Sequence, residues 1–379
     1  MNEIILSPLL KRIAAALPAE VNVYLVGGAV RDLLLGRESY DLDFVMAGNT
    51  LRIGRALAHK LDGAYFPLDP ERGYARIVLD SGESGATHKR LQLDLATFQG
   101  ENLESDLKLR DFTINAMAID VREPQTLIDP LGGAADLVNK KLRACSPQSL
   151  SNDPVRILRA VRQSLAYDLQ ISPETILLMR QAAALLAQVS PERTRDELFR
   201  ILEGYQPRTG LEILDRVGAL EQVVPEAVVL KGVTQSEPHV HDVWMHTLEL
   251  ISRLCLVLSV LAEEFNPDKA SNLILGMLSL QLGRYRQALI EHFGKRITPD
   301  RSLRSILFMA GLFHDCGKSL TRQVDQEGRV RFLGHDLEGE KLVTGRAQAL
   351  RLSNQEIARL GNIVRHHMRP LLLGQSEEL

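Results

Sequence analysis

The chain has 379 residues, is 45% hydrophobic and carries a net charge of −3, so it can form two or three domains with real cores but offers nucleic acid no global attraction. Its three cysteines, Cys145, Cys255 and Cys316, lie far apart without CxxC spacing. That excludes a disulfide scaffold and a cysteine-type zinc site, and fits a reducing cytoplasm. Neither a secretion signal nor an apolar run of membrane-span length is expected.

In chain order, strands are predicted at residues 21–26, 42–46, 75–79 and 91–98, and helices at 28–35, 50–61 and 113–119. Asp129-Pro-Leu-Gly-Gly133 is a turn signal and reads as a link to the next segment of the chain. From Asp153 onward the periodicity is helical, with Ile157, Leu158, Val161 and Leu165 on one face and Leu198, Ile201 and Leu202 on another. The periodicity fades again at residues 225–238, and eight of the ten histidines lie beyond that point.

Leu25-Val-Gly-Gly-Ala-Val-Arg-Asp32 reads as a strand entering a paired-glycine turn and a helix. Tyr40-Asp-Leu-Asp-Phe44 comes next, with Asp41 and Asp43 at i and i+2 and therefore on one face of a strand. Two carboxylates so placed can hold Mg2+ ions, and the ions a triphosphate. Gly27 and Gly28 let backbone N–H groups approach phosphate, and the helix behind them offers its positive end. Arg31 can pair with Asp32 to fix the turn or can reach a phosphate. Asp94, alternating with apolar residues, is either a third carboxylate or a plain strand residue. In Arg110-Asp111-Phe-Thr-Ile-Asn115, Asp111 or Thr113 can cap a helix. Arg110, Asp111 and Asn115 together can hold a nucleotide's sugar and phosphates.

A basic surface is expected after this region. Residues 140–208 hold eleven Lys or Arg against seven Asp or Glu, and Arg156, Arg159 and Arg162 recur every three residues on one side of a helix. Such a ladder is either a solvated face or a phosphate-contacting one. Asp153 with Pro154 reads as an N-cap followed by a first helical residue. Asp153 and Arg156 can also accept from the amine and donate to the ring nitrogen that cytosine and adenine share, a pattern that uracil and guanine reverse.

LVGGAVRDLLLG, YDLDFV, LRDFTINAMAID, IDPLGG and NDPVRILRAVR, in this order across about residues 20–225, resemble the motifs of class II tRNA nucleotidyltransferases. These are the CCA-adding enzymes and their poly(A) polymerase relatives, in the polymerase-beta superfamily. The resemblance implies an α+β chain with a polymerase-beta-type head at 1–140 and a helical neck and body at 141–228 for nucleotide selection and tRNA binding. It implies that Asp41 and Asp43 bind two catalytic metal ions, that Arg110 and Asp111 lie at the ribose, and that Asp153 and Arg156 read the base. Arg159 and Arg162 continue that helix toward the triphosphate. Two positions depart from the pattern. Asn152 stands where the base-reading motif begins with Glu, and only residues 99–108 fill the place of a flexible loop, with Gln99 where Arg is usual. A short loop resembles the CC-adding subtype, because the loop is the lever that reshapes the pocket for adenine.

Val243-Trp-Met-His246, His314-Asp315, His335 and Arg365-His366-His367 resemble an HD domain, placed at 229–379 and expected to be all-α. Imidazoles with a carboxylate suit a transition metal, with His246, His314, Asp315 and His335 as ligands. His239, His241 and His292 are expected at the surface. The HD pattern ends in a further Asp, and none follows Asp336; either the final ligand is missing, which counts against full phosphohydrolase activity, or the chain is truncated and this domain incomplete. The expected activity is template-independent addition of C, as CC or within CCA, to tRNA from CTP and ATP, in the cytoplasm and without a membrane. The competing readings are an HD-type phosphohydrolase with a degenerate nucleotide-binding head, a poly(A) polymerase, and a tRNA-binding module without turnover.

Overall fold

The computed structural model describes residues 8–80, 90–237, 240–261 and 273–370. They fall into two compact units, 1–152 with 169–178 and 153–168 with 179–379.

The first unit is built on a seven-stranded sheet. Its elements are α1 (Pro8–Ala16), β1 (Val23–Val26), α2 (Gly28–Leu34), β2 (Asp41–Met46), α3 (Thr50–Leu61), β3 (Ala64–Asp69), β4 (Tyr74–Asp80) and β5 (Arg90–Thr97). They continue with α4 (Leu103–Lys108), β6 (Ala118–Asp120), β7 (Leu127–Ile128), α5 (Gly133–Val138), β8 (Lys141–Leu142), α6 (Ser149–Asn152) and β9 (Gln170–Ile171). The strand order is β3-β4-β5-β2-β1-β6-β7, and only β2 and β5 pair in parallel. β8 and β9 form a separate parallel pair. Strand alternation decides which face is core. Leu42, Phe44 and Met46 of β2 and Leu91, Leu93 and Leu95 of β5 join Ile13, Ile53 and Leu57 in one buried cluster. Asp41 and Asp43 therefore stand on the opposite face, where Val26, Val45, Leu107, Ala116 and Ala118 form a smaller cluster.

The helix expected at 113–119 is a single 3-10 turn, Thr113–Asn115, followed by β6. The pairing of Val26 with Ala118 in the sheet overrides the local helical pattern. Neither Asp111 nor Thr113 caps it: Thr113 Oγ1 donates to Asp136 at 2.6 Å, and Asp111 Oδ1 accepts from the Phe112 N–H at 2.8 Å. The Asp129 turn is not only a link, since its carboxylate accepts the Gly133 and Ala134 N–H groups at 2.7 and 2.9 Å and so starts α5.

The second unit is helical: α7 (Arg156–Ala166), α8 (Pro173–Ala182, whose first residues group with the first unit), α9 (Pro191–Leu202), α10 (Pro207–Arg216), α11 (Leu220–Val223), α12 (Pro225–Val228), α13 (Val243–Val260), α14 (Leu273–Gly283) and α15 (Arg286–Gly294). Then come α16 (Leu303–Phe313), α17 (Lys318–Thr321), α18 (His335–Ala349) and α19 (Asn354–His366), with two short ribbons, β10 (Arg296–Thr298) with β11 (Arg301–Ser302) and β12 (Gln323–Val324) with β13 (Val330–Arg331). α7 packs on α9 and α10, and α16 on α13 and α19. α13 is, against expectation, long and apolar enough by composition to cross a membrane. Its Val243, Trp244, Leu248 and Ile251 are nonetheless buried in the unit's core. Asp153 is not an N-cap: α7 begins only at Arg156, because the Asp153 carboxylate is engaged by arginines.

Candidate active site

Parallel pairing of β2 and β5 sets Asp41 beside Gln92 and Asp43 beside Asp94. Antiparallel pairing sets Asp43 opposite Val26, the residue before the glycine turn. Asp41 and Asp43 are both solvent-exposed. The protein around Asp43 nevertheless strips water from its carboxyl, and this, with repulsion from Asp94 and Asp41 against the pull of Arg110, pushes it up to about 6. Asp94 is no bare third carboxylate. Arg76 donates to it twice, at 2.7 and 2.9 Å, and Gln92 once, at 3.2 Å. The Asp41–Asp43 pair is thus crowded negative charge beside the glycine turn.

Gly27 has φ +74°, and a Cβ there would lie 3.2 Å from both Asp43 Oδ2 and Arg110 Nη1. The glycine leaves the space in which those two groups face each other. Arg110 is held by the buried Asp106 through Nε and Nη2 at 3.3 and 3.2 Å, and Asp106 also accepts the Gln99 N–H at 2.9 Å. Arg31 is buried and bonded to Asp32 and, at 2.7 Å, to Asn115 Oδ1, while Asn115 Nδ2 donates to Asp111 Oδ1 at 3.0 Å. Arg31 fixes the glycine turn, and the chain Asp32–Arg31–Asn115–Asp111 locks the turn to the Arg110-Asp111 segment.

In the second unit, Asp153 accepts from Arg193 at 2.7 Å and lies 3.7 Å from Arg156. The arginine ladder of α7 has a counter-charge that sequence reasoning missed. Glu197 of α9, almost fully buried, bonds Arg162 at 2.6 Å and pairs with Arg159 at 3.6 Å and Arg200 at 3.5 Å. Burial of a carboxylate is tolerated because three guanidiniums surround it.

Four histidines converge on Asp315 in the same unit. Oδ2 lies 3.1 Å from His314 Nε2 and 3.6 Å from His246 Nε2; Oδ1 lies 3.5 Å from His335 Nε2 and 3.7 Å from His367 Nε2. All four expected ligands are brought together. His367 joins them, while its neighbour His366 is exposed, as are His241 and His292; His239 lies outside the described residues. Lys318 and Gln235 complete the surroundings, Lys318 Nζ bonding Asp315 Oδ2 at 2.8 Å and Gln235 Oε1 at 2.7 Å. Burial works against ionisation of Asp315, but the imidazoles of His314 and His367 and the Lys318 ammonium outweigh it and hold the carboxyl well below its ordinary range.

Residues 23–143 match the Poly A polymerase head domain, 168–230 the probable RNA and SrmB-binding site of polymerase A, and 261–378 the HD domain. A mixed sheet presenting a carboxylate pair beside a glycine turn, with an appended HD domain, defines a nucleotidyltransferase of that head type. The chain belongs to the class II tRNA nucleotidyltransferases with a C-terminal HD domain. It is 38% identical over 277 residues to the CC-adding tRNA nucleotidyltransferase of Geobacter sulfurreducens, spanning 69% of this chain and 59% of that one. It is 35% identical over 350 residues to the A-adding tRNA nucleotidyltransferase of Deinococcus radiodurans, 91% of this chain and 68% of that one. It is also 35% identical over 357 residues to the multifunctional CCA protein of Pseudomonas aeruginosa, 90% of this chain and 73% of that one. A tRNA nucleotidyltransferase complexed with a primer tRNA and an incoming ATP analogue superposes with TM-score 0.61 at 25% identity, covering 97% of this chain and 87% of that one.

Proposed function

We propose that this chain is a CC-adding tRNA nucleotidyltransferase, which extends the tRNA 3′ end with C from CTP, without a template, and releases pyrophosphate. The observation that carries the CC assignment is the connection between β5 and Arg110. Twelve residues, 98–109, fill it, and six of them form α4. A capping box between Asn102 and Ser105 starts the helix, and Gln99 is tied to Tyr74 and Asp106. A segment so short and so bonded has no length left to act as a lever that opens a pocket for adenine. Asn152, in place of the Glu of the resembling motif, is in keeping with a stop after CC.

In the reaction, the tRNA 3′-oxygen bonds to the α-phosphorus of CTP as the bond to the bridging oxygen breaks and pyrophosphate leaves. Asp41 and Asp43 would hold two Mg2+ ions, which supply Lewis acidity to the 3′-hydroxyl and the leaving oxygens. Gly27 and Gly28 admit the triphosphate beside backbone N–H groups. Arg110 contributes positive charge, and Asp111 and Asn115 present oxygen and amide groups for the ribose. Asp153 accepts from the cytosine amine and Arg156 donates to its ring nitrogen. Arg159 and Arg162 carry charge for the phosphates. The test is to incubate tRNA lacking its 3′ CCA with CTP alone, ATP alone and both, and to sequence the ends. Two added C residues with CTP, and no A when ATP is present, are expected. A terminal A would reassign the chain as a full CCA enzyme, and a long A tail as a poly(A) polymerase.

The histidine cluster supports a second, metal-dependent phosphohydrolase activity. His246, His314, Asp315 and His335 would hold a transition metal, and the donor set of imidazoles with one carboxylate suits such an ion. Asp315→Ala should abolish hydrolysis of a phosphodiester and leave C addition intact; loss of both together would set this reading aside.

A further inference from the structure

The row of side chains that holds Asp43 runs on to the edge of the sheet. Asp43 lies beside Asp94 of β5, Asp94 opposite Arg76 of β4, and Arg76 opposite Phe66 of β3. Directly paired residues on neighbouring strands share a face, so Arg76 and Phe66 stand on the face of Asp43. The next row on that face is Asp41, Gln92, Val78 and Ala64. Arg76 and Asp94 keep 35% and 30% of their side chains exposed, and Phe66, on the outermost strand, is 49% exposed. A single exposed phenylalanine is ordinary. This one lies three strands from Asp43, about 14 Å away, on the face that carries the carboxylate pair.

The glycine turn lies on the other flank of β2. β1, which leads into Gly27, borders β2 on one side, and β5, β4 and β3 follow on the other. Nucleotidyl transfer sets the attacking oxygen and the leaving pyrophosphate roughly in line, on opposite sides of the phosphorus. With the triphosphate at the glycine turn, pyrophosphate departs on the β1 side and the 3′-oxygen approaches from the β5 side. An RNA end that reaches the carboxylate pair from there crosses Arg76 and Phe66.

On the nucleotidyl-transfer reading given above, we propose that this strip seats the 3′ end of the RNA. The Arg76 guanidinium meets the phosphate of the terminal nucleotide, and the Phe66 ring stacks on a base of the unpaired end. Asp94 accepts from Nε and Nη2 of Arg76 at 2.7 and 2.9 Å, and the two bonds fix the plane of the guanidinium. A basic group on the backbone and an aromatic ring on a base are the usual means of holding single-stranded RNA. Stacking tolerates any base, which suits an end whose last nucleotide changes with each addition. Both are positioning residues, since neither reaches the reacting atoms.

The test uses the full chain and tRNA lacking its 3′ CCA, bound without CTP so that no turnover is needed. Phe66→Ala should weaken binding about tenfold, the size of one lost base stack, with an unchanged melting temperature. Phe66→Trp should bind as the unaltered chain does. Its fluorescence should quench as RNA is added, beyond any change from Trp244, the one native tryptophan. Arg76→Gln combined with Asp94→Asn keeps the net charge of the pair. It should lower the slope of log affinity against log salt by about 0.7, one single-strand phosphate contact. A tRNA cut back to its paired stem should bind the unaltered chain and Phe66→Ala equally. Unchanged affinity in Phe66→Ala, a silent tryptophan in Phe66→Trp, an unchanged salt slope, or an equal loss with the cut-back tRNA overturns the proposal. No C addition by the unaltered chain, alongside an intact quench, overturns the transfer reading and leaves the RNA seat standing.

Discussion

Arg193 Nη2 lies 2.7 Å from Asp153 Oδ2, closer than Arg156 Nε, which stands 3.7 Å from the same oxygen. The proposed base-reading carboxylate is therefore oriented chiefly from α9 rather than from the start of α7 that follows it. A hydrogen bond to a charged group contributes about 1.5 to 3 kcal/mol, about ten- to a hundredfold in an equilibrium. Arg193→Ala should raise the KM for CTP about tenfold and increase UTP misincorporation, and Arg193→Lys should restore part of both. Single-nucleotide incorporation with CTP and UTP measures it; an unchanged CTP-to-UTP ratio would remove Arg193 from base selection.

Asp43 sets a pH limit. Its carboxyl, pushed up to about 6, must be ionised to bind a metal, so C addition should fall as pH drops through about 6 at limiting Mg2+. Raised Mg2+ should shift the fall to lower pH. Asp43→Asn should lose at least about a hundredfold in rate, since even residues that only support a ligand cost up to about that much. The stability effect has the opposite sign. A carboxyl with a raised folded value binds its proton more tightly when folded, so this contribution is present at low pH and lost as pH rises through about 6. Without metal at about pH 7.5, Asp43→Asn should melt at or above the temperature of the unaltered chain, and added Mg2+ should raise only the latter. A lower melting temperature for the variant would contradict the crowding of these carboxylates.

Asp41 and Asp43 were legible because strand periodicity alone puts them on one face, and the leucines of β5 declare the other face as core. The every-third spacing of Arg156, Arg159 and Arg162 was equally plain, but Glu197 was not, because it comes from α9, 35 residues beyond Arg162, and only helix packing brings it there. Residues 113–119 misled because Ile114, Met117 and Ala118 suit a helix face, whereas sheet pairing with β1 decides the outcome. Among adjacent histidines, sequence cannot say which faces inward; the end of α19 turns His367 to Asp315 and His366 to solvent.

Gly27 is where backbone and chemistry meet. Any side chain at φ +74° is strained by about 1 to 2 kcal/mol, and its Cβ would press on Asp43 Oδ2 and Arg110 Nη1 at 3.2 Å. Gly27→Ala should cost modestly in melting temperature yet cut C addition about a hundredfold, as expected when a close phosphate approach is blocked. Rate and thermal melting on the same preparation separate the effects; loss of rate only in proportion to unfolding would leave Gly27 a turn residue alone.

Arg301 and Glu356 test the second unit without touching either site. Glu356 is fully buried, bonds Arg301 at 2.5 and 3.3 Å, and also closes the capping box of α19 through Ser353. Burial resists its ionisation, but Arg301 and Ser353 prevail and hold its carboxyl below the ordinary value. The stabilisation is therefore present above the unfolded value and fades as pH falls through the folded one. Glu356→Ala leaves the buried Arg301 guanidinium only its longer contact to the exposed Asp196, at 3.3 Å, and so costs up to about 3 to 5 kcal/mol. A double change, Arg301→Met with Glu356→Leu, removes both charges and should recover most of that loss. Urea unfolding of the three proteins measures the difference. If the single variant were as stable as the unaltered chain, the pair would be an ornament of the surface rather than a buried tie between β11 and α19.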